Sequence, residues 1–227
     1  MANGWRDREK TAYAQLAYHQ TAVKDLAKAE FAWGVAMLLA ESTGIDEYFH
    51  VQSKLGEIGV MVEQTRACIR AAEADGYYFD DEFYVPEPSY LFAVSGSFPD
   101  MYPRIIEILR DLGGSGLIGV PAWEDLEADG PLGSDVKAYF RGKDMDAVER
   151  MGVQKLAYEM AIGGMGSREA LYERFYTGGP MRVKSNFWKN HGATEEYKQK
   201  AVEYGLRGVE TDADPTSARG AVADEDD

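Results

Sequence analysis

Length, composition and charge restrict what this chain can be. Its 227 residues can bury one substantial hydrophobic core, and its apolar fraction of 45% is ordinary for a globular protein. Acidic residues outnumber basic ones by 39 to 24, which gives a formal net charge of −15 at pH 7. Because such a surface repels nucleic acids and anionic membranes, we expect neither of them to be a partner. The charge would also suit a host with a high-salt cytoplasm, although the acidic last residues inflate the count.

Residues that bind metals or form disulfides are scarce. Cys68 is the single cysteine, so the chain forms no internal disulfide and no cysteine-based zinc or iron–sulfur site of its own. The three histidines are far apart and lack the spacing of a metal-binding helix, so we expect no metal site. The first residues lack the apolar core of a signal peptide, and no apolar run is long enough to cross a membrane. These features predict a cytoplasmic protein.

Apolar residues spaced alternately three and four apart predict two long helices in the first third of the chain. The first runs from about residue 11 to 42, before Gly44, and the second from residue 48 or 51 to 74. A short turn between them makes an antiparallel hairpin, which is half of a helical bundle. The predicted buried positions of the second helix are residues 51, 55, 58, 62, 65, 69 and 72.

The first helix has a predicted buried face that includes two polar residues. Its positions are residues 16, 19, 23, 26, 30, 33 and 37. His19 and Glu30 are the polar members, and each requires a hydrogen-bonding partner or a cavity. One such residue alone is commonly a satisfied structural group. Two on the same face favour a polar pocket or a contact between subunits.

Further helices follow a connection over residues 75–100 that is rich in aromatic and acidic residues, with a short helical piece near residues 89–94. We predict a third long helix over residues 101–112 and a fourth over residues 145–162, capped by Asp144. Shorter helices are predicted near residues 134–140, from residue 167 onward and over residues 194–206.

The predicted fold is all-α, an up-down four-helix bundle with extra short C-terminal helices. No strand-like alternation longer than a few residues is found, and no internal repeat. We assign residues 11–208 to this bundle domain and residues 1–10 to an N-terminal extension. Residues 209–227 contain almost no apolar side chains and are predicted to be a disordered acidic tail.

The third helix ends in a turn of small residues that is a candidate binding site. Backbone without Cβ atoms at Gly113, Gly114 and Gly116 permits close approach of a flat or phosphorylated ligand. Arg110 lies one turn earlier and would add a fixed positive charge with several donors. The simpler interpretation is that glycine only ends the helix, which is its ordinary role.

A second glycine-rich turn follows the fourth helix and leads into another helix, for which Ser167 is the predicted N-cap. The unpaired backbone amides of a helix start, beside Arg168, would suit a phosphate or pyrophosphate group. Because every helix start has such amides, the prediction of a phosphate site depends on the glycines that precede this helix. Its candidate residues are Met165, Gly166, Ser167 and Arg168.

Four ordered stretches of the chain carry a resemblance to known proteins, namely residues 19–46, 51–76, 98–122 and 166–180, which include FPDMYPRIIEILRDLGGSGLIGVPA and GSREALYERFYTGGP. Together they resemble the C-terminal domain of the 4-hydroxyphenylacetate 3-monooxygenase family. Members of this family are oxygenase components of two-component flavin monooxygenases and are related in fold to acyl-CoA dehydrogenases. The resemblance implies a bundle of the acyl-CoA dehydrogenase C-terminal type that forms part of an FADH2 site, usually in a tetramer. A separate flavin reductase supplies the reduced flavin in this family, and the oxygenase hydroxylates a phenol in a pocket that must exclude water.

The resemblance also implies which residues contact the flavin. Arg110, Gly113 and Gly114 stand where related proteins have a Gln-x-x-Gly-Gly element beside the adenine and pyrophosphate, and residues 165–168 match a second family stretch. Family members are far longer, and their N-terminal and middle domains carry the phenol site. We therefore expect FADH2 to be shared with a partner polypeptide that carries those domains, in a homo- or hetero-oligomer. We assign no catalytic residue to this chain and expect no hydroxylation by it alone.

Two alternatives remain open at the level of sequence. One is a noncatalytic all-α oligomerisation or scaffold module that keeps the bundle and has lost flavin. The other is a protein similar to 4-hydroxybutyryl-CoA dehydratase, whose iron–sulfur cluster is held partly by a cysteine on the first long helix. Residues 11–42 contain no cysteine, which argues against the second alternative.

Overall fold

The computed structural model describes residues 12–206, so the predicted N-terminal extension and acidic tail lie outside the described residues. In chain order, the elements are α1 (Tyr13–Thr43), α2 (Phe49–Ala74), β1 (Tyr77–Phe79), β2 (Phe83–Val85), α3 (Pro88–Gly113), a 3-10 turn (Gly114–Leu117), α4 (Trp123–Glu127), α5 (Pro131–Tyr139), α6 (Ala147–Ala161), α7 (Gly164–Phe175), α8 (Pro180–Asn190) and α9 (Thr194–Gly205). Helices α1, α2, α3 and α6 pack together, and α7 packs on α3 and α6. The predicted helical bundle is confirmed.

The chain divides into two compact units at the boundary between Lys189 and Asn190. The first unit contains the bundle and both candidate glycine turns. The described part of the second unit contains α9, an amphipathic helix with Glu195 and Glu196 in its first turn. These carboxylates lie at the end of the helix where the backbone dipole favours negative charge.

Helix α2 buries the face that the sequence predicts. Its buried positions include Val51, Ile58, Val62, Thr65, Ile69 and Ala72. Leu55 is partly buried and packs against the same core. This helix has one apolar face only, so the three-and-four spacing identifies it correctly.

The predicted buried face of α1 is wrong. Leu16, Val23 and Met37 are exposed, and only Leu26 and Trp33 of its apolar members pack, partly buried, against the core. The buried seam lies about a third of a turn away around the helix. That seam follows the same three-and-four spacing and consists of residues 22, 25, 29, 32, 36 and 39, four of which are alanine. Alanine on the inner face lets the axes of α1 and α3 approach closely. Three-and-four spacing of apolar residues occurs both on the predicted face and on the alanine seam. The predicted face carries the larger side chains, and for that reason the sequence favoured it.

The helix α3 is longer than the sequence predicts. In place of a short piece near residues 89–94 and a separate helix from residue 101, a single helix runs through Pro99 and Pro103. A proline at position 103 removes the N–H that would have bonded to the carbonyl of Pro99. Arg174 of α7 supplies the missing donor, because its Nη1 atom donates to the Pro99 oxygen at 3.1 Å. A side chain distant in sequence thus replaces the backbone hydrogen bond that the helix lacks at Pro103.

A small hairpin that the sequence did not indicate occupies part of the connection between α2 and α3. Strands β1 and β2 pair antiparallel over three residues each. Asp80 and Asp81 form the turn with φ angles of 52° and 57°, a left-handed conformation that aspartate tolerates better than most residues. The Tyr77 hydroxyl accepts a hydrogen bond from the buried Gln15 side chain at 3.0 Å, which fastens the hairpin to α1.

Two predicted helix caps are also displaced. Asp146, not Asp144, caps α6, and it forms a reciprocal capping box with Glu149. Helix α7 begins at Gly164 with Gly163 as its N-cap, so Ser167 lies inside the first turn and is not the cap. Among the described residues, no helix is long and apolar enough to span a membrane, and no group of three or more metal-binding side chains occurs.

Candidate functional site

The glycine turn at the end of α3, residues 113–116, is named the α3 turn below. Gly114 has a φ of +51°, a conformation that side-chain-bearing residues adopt only at a cost. A Cβ atom built at Gly114 would meet no described atom within 4 Å. Backbone conformation therefore requires glycine here, while the space beside it stays open. An open backbone surface of this kind can accept a ligand at contact distance.

The other two glycines of the α3 turn face side chains of the protein itself. A Cβ atom at Gly113 would overlap the side chain of Leu117, which is buried and folds back against the helix end. A Cβ atom at Gly116 would lie 3.1 Å from Nε2 of Gln154 on α6. Only one of the three glycines therefore has an open environment, and Gly116 brings the turn against a polar side chain.

Gln154 is a candidate that the sequence analysis missed. Its side chain is 2% exposed, and its Oε1 atom has no hydrogen-bond partner within the described part of the chain. A buried carbonyl oxygen without a donor costs free energy, so such an atom needs an explanation. The available signal was a glutamine on the buried seam of α6, at helical spacing from Met151, Ala157 and Ala161.

Arg110 joins the α3 turn to the end of α6. Its Nε atom donates to the backbone oxygen of Ala161 at 2.8 Å. The carbonyl groups at the end of a helix lack donors from their own helix, so this bond satisfies one of them. Ala161 lies two residues before Gly163, and the bond therefore brings the positive charge of Arg110 next to the second glycine-rich turn. The two predicted turns are neighbours in the fold.

The second turn with the first helical residues, 163–168, is named the α7 start. Gly164 has open space beside it, and Met165 and Arg168 are exposed. Gly166 differs, because a Cβ atom there would overlap the backbone oxygens of Glu159 and Met160. Its glycine is required by close packing of α7 on the end of α6, and not by a ligand. The Ser167 N–H bonds to the Gly163 oxygen at 2.9 Å, which places the unpaired amides at residues 164–166.

His19 and Glu30 lie on the surface where α1 meets α2, and each has a partner there. His19 Nε2 is 2.8 Å from Oε1 of Glu73, and Glu30 Oε1 accepts a hydrogen bond from Arg66 at 2.8 Å. The expectation that each needs a partner is met, although Glu30 is exposed and His19 only half-buried. Their assignment to a polar pocket stays a prediction.

A cluster of buried charges between α1 and α7 was not foreseen. Lys24 and Lys28 of α1 bind Glu173 of α7, and Lys28 also binds Glu169. Asp25 lies 2.8 Å from the Lys24 amine and is 2% exposed. Burial, reinforced by the negative charge of Glu173, raises the pKa of Asp25 to about 7 against the attraction of Lys24. Three carboxylates facing two amines give the cluster a net negative charge when all are ionised.

The cluster extends to α3, where burial and the charge of Glu173 raise the pKa of Tyr102 to about 12. Tyr172 and Tyr176 cover it on the outside, with the Lys24 amine 4.5 Å from the ring centre of Tyr176. These contacts hold α7 against the bundle and thereby set the direction of the α7 start. The feature of the sequence that could have indicated this cluster is Asp25, an aspartate among the alanines of the buried seam of α1.

The fold is that of acyl-CoA dehydrogenase-like helical bundles. A crystal structure of the oxygenase component of 4-hydroxyphenylacetate 3-monooxygenase complexed with FAD superposes with a TM-score of 0.78 at 36% identity, over 84% of this chain and 40% of that one. A second structure of the same component also contains 4-hydroxyphenylacetate. An archaeal 4-hydroxybutyryl-CoA dehydratase from N. maritimus shares the fold, with a TM-score of 0.75 at 18% identity over 89% of this chain and 40% of that one.

The model of the 4-hydroxyphenylacetate 3-hydroxylase C-terminal family matches residues 8–204, and the chain belongs to this family. The oxygenase component of 4-hydroxyphenylacetate 3-monooxygenase from Thermus thermophilus is 38% identical over 182 residues, which are 80% of this chain and 37% of that protein. The probable 4-hydroxyphenylacetate 3-monooxygenase of Bacillus subtilis is 31% identical over 82% of this chain and 38% of its own length. The chain thus spans less than half of the curated relatives it matches. The resemblance inferred from the sequence is confirmed.

Proposed function

We propose that this chain is the C-terminal-domain subunit of a flavin-dependent aromatic monooxygenase. In this proposal it forms one wall of an FADH2 pocket, and a partner polypeptide with the N-terminal and middle domains supplies the phenol site. A flavin reductase is the transient partner that delivers reduced flavin. The observation that carries the proposal is the similarity, at 36% identity over 84% of this chain, to an oxygenase component whose structure contains FAD.

The residues of the α3 turn fit a flavin dinucleotide. Gly114 leaves open space where backbone can meet a flat or phosphorylated group, and the buried Oε1 of Gln154 lacks a donor that a ligand N–H or hydroxyl can provide. Arg110 adds positive charge suited to a pyrophosphate. When bound and reduced, the flavin supplies activation of O2 and transfer of one oxygen atom to the phenol. The part of this chain is to bind and orient the dinucleotide and to exclude water from it.

The α7 start fits the same group less completely. The amides of residues 164–166 and the exposed Arg168 suit a phosphate. Gly166, in contrast, is accounted for by packing within the chain. We therefore assign the phosphate contact here to the backbone of Gly164 and Met165 and to Arg168, with Ser167 beside them, and give Gly166 a structural role.

The proposal is tested by flavin binding with and without the missing domains. The purified chain is mixed with the N-terminal and middle domains of the Thermus thermophilus relative, and FAD retained after gel filtration is measured by absorbance, with reduced flavin tested under anaerobic conditions. Retention only in the mixture supports the proposal. Absence of flavin from both samples supports the alternative of a noncatalytic scaffold module, which the protein-filled environments of Gly113 and Gly166 favour.

A glycine substitution tests the α3 turn itself. Gly114→Val should reduce flavin retention in the mixture at least about tenfold, because a branched side chain would occupy the open space. The matched control is Gly130→Val, since Gly130 also has a positive φ and no described atom within 4 Å of a built Cβ, but lies between α4 and α5. Both variants should lose about 1–2 kcal/mol of stability from backbone strain. Equal flavin retention in the two variants would remove the α3 turn from the site.

A further inference from the structure

Helices α2, α3 and α8 border a cavity of about 600 Å³. Its walls come from Met61 of α2, from α3 residues between 92 and 104, and from Lys184 and Phe187 of α8. None of these lining residues belongs to the α3 turn or to the α7 start. The volume lies within the range of about 300–1,000 Å³ that is usual for small-molecule sites. We call it the α8 cavity.

The wall of the α8 cavity is mainly apolar and suits a flat ring. Phe92 and Phe187 contribute aromatic rings, and Met61 and Met101 contribute thioether side chains. Both kinds of side chain make favourable contacts with an aromatic ligand, and methionine adapts its shape to the ligand. Gly96 keeps the α3 side of the cavity open, because a Cβ atom built there would meet one described atom within 4 Å, a side-chain carbon of α8 at 3.9 Å.

The polar side chains at the α8 cavity carry an excess of positive charge. Asp100 accepts a hydrogen bond from the Lys184 amine and, at 3.1 Å, another from Nη1 of Arg174. These two cations hold the pKa of Asp100 below its usual value, so that this carboxyl group is ionised at neutral pH. Two positive charges and one negative charge therefore leave the group at +1. The Lys184 amine has three N–H donors, and its bond to Asp100 uses one of them.

Arg104 also lines the cavity, but its guanidinium is directed at other carboxylates. Its Nε and Nη2 atoms donate to Glu57 at 2.7 and 2.8 Å, and Nη1 donates to Glu107 at 2.7 Å. Neither glutamate lines the cavity. Arg104 therefore shapes the wall, and Lys184 is the lining cation with donors left for a ligand.

The sequence around Lys184 preserves its positive charge. Residues 174–194 contain four basic residues and no acidic one, within a chain of net charge −15. A local positive site of this kind attracts an anion and repels an amine. Since the rest of the cavity is apolar, the charge and the wall together select an organic anion with an apolar body.

We propose that the α8 cavity binds an aromatic carboxylate, with its rings among the phenylalanine and methionine side chains and its carboxylate on the Lys184 amine. The bound molecule holds α8 against α3, to which α8 is otherwise fixed by the buried Val183 and by the Lys184–Asp100 pair. The proposal concerns the first compact unit by itself and does not depend on flavin or on the partner polypeptide of the proposed function. Its tests therefore succeed or fail separately from those above.

The first test measures binding of 2-naphthoate, a fluorescent two-ring carboxylate, to the purified chain by fluorescence titration. Saturable binding of one molecule per chain is expected, with a Kd below about 1 mM. Gly96→Leu should weaken binding at least about tenfold because the new side chain fills the cavity, and it should fold because leucine favours a helix more than glycine does. The matched control is Gly152→Leu on α6, another helical glycine with no described atom within 4 Å of a built Cβ. Absence of saturable binding, or equal binding by the two variants, overturns the proposal.

The second test examines the role of the charge. The neutral analogue 2-naphthamide has the same rings and should bind about fivefold more weakly, which is the contribution expected from an exposed ion pair. Lys184→Met should abolish this preference, whereas Lys189→Met on the same helix should keep it. Asp100→Asn should instead raise the affinity for 2-naphthoate about threefold, because it frees donors of Lys184 and Arg174. Equal binding of both compounds by the wild-type chain contradicts the assignment of a carboxylate.

The third test locates the site by hydrogen exchange and mass spectrometry. Saturating 2-naphthoate should slow amide exchange in α8, residues 180–190, at least about threefold, because the ligand joins α8 to α3. Helix α5 serves as the internal control, since it does not border the cavity and should exchange at an unchanged rate. Slower exchange confined to the α3 turn and the α7 start would place the molecule in the predicted flavin site and overturn the proposal.

Discussion

The α3 turn and the α7 start look alike in the sequence and differ in the structure. Both follow a long helix, and both contain glycines beside an arginine. At Gly114 glycine is required by a positive φ and the space around it is open, whereas at Gly166 glycine is required because backbone of the same chain fills that space. A glycine cluster therefore indicates that another group comes close to the backbone, but it does not distinguish a ligand from another part of the same chain. Only the atoms around each missing Cβ distinguish a ligand surface from a packing contact.

The largest effect that would test this difference is expected at Gly166. Gly166→Ala should destabilise the protein by about 3 kcal/mol, because the new methyl group overlaps backbone oxygens that cannot move independently. The measurement is urea unfolding followed by circular dichroism. Gly164→Ala is the control, since it adds the same methyl group two residues away in open space and should change stability by less than about 0.5 kcal/mol. Equal effects would show that the corner between α6 and α7 is looser than described.

A smaller effect, on the pH dependence of the unfolding free energy, is expected from the charged side chains that hold α7 against α1. The pKa of Asp25 is about 7 in the folded protein and 3.8 as its ordinary value, so the folded state binds the proton more tightly. Its contribution to stability is then fully present below pH 3.8 and is lost as the pH rises through about 7. Asp25→Asn should reduce the fall in unfolding free energy between pH 4 and pH 8 by roughly 2 kcal/mol.

The control for this measurement is Asp135→Asn, which removes an exposed carboxyl group on α5. Its pH profile of stability should match that of the wild type. If Asp25→Asn also leaves the profile unchanged, the proton is not held by the cluster between α1 and α7, and the orientation of the α7 start has another cause.

The smallest effect is expected at Gln154, beside the α3 turn. Gln154→Leu removes a buried oxygen without a donor, so the chain alone should become more stable by about 1 kcal/mol or stay unchanged. In the mixture with the missing domains, flavin retention should fall about tenfold if the amide contacts the ligand. Gln64→Leu, at an exposed position on α2, is the control. A loss of stability without loss of flavin would mean that Gln154 has a structural partner instead.

The sequence by itself determined the family, the helical class and the C-terminal ends of α1, α2 and α3. Gly44 and Gly114 end α1 and α3 as predicted, and the face of α2 is correct because only one side of that helix is apolar. It also located both glycine turns, since glycine is a local signal. These features depend on short-range preferences that residues carry into any fold.

The tertiary structure alone decided which of two apolar faces α1 buries, because small alanine side chains on the inner face let α3 approach closely. It also decided that α3 continues through Pro103, since the donor to the Pro99 oxygen comes from Arg174, which lies 75 residues away along the chain. The buried charges of Asp25 and Glu173, and the unpaired oxygen of Gln154, likewise exist only once distant helices meet. Each of these features depends on a partner that local sequence does not specify, and for this physical reason no reading of periodicity could supply them.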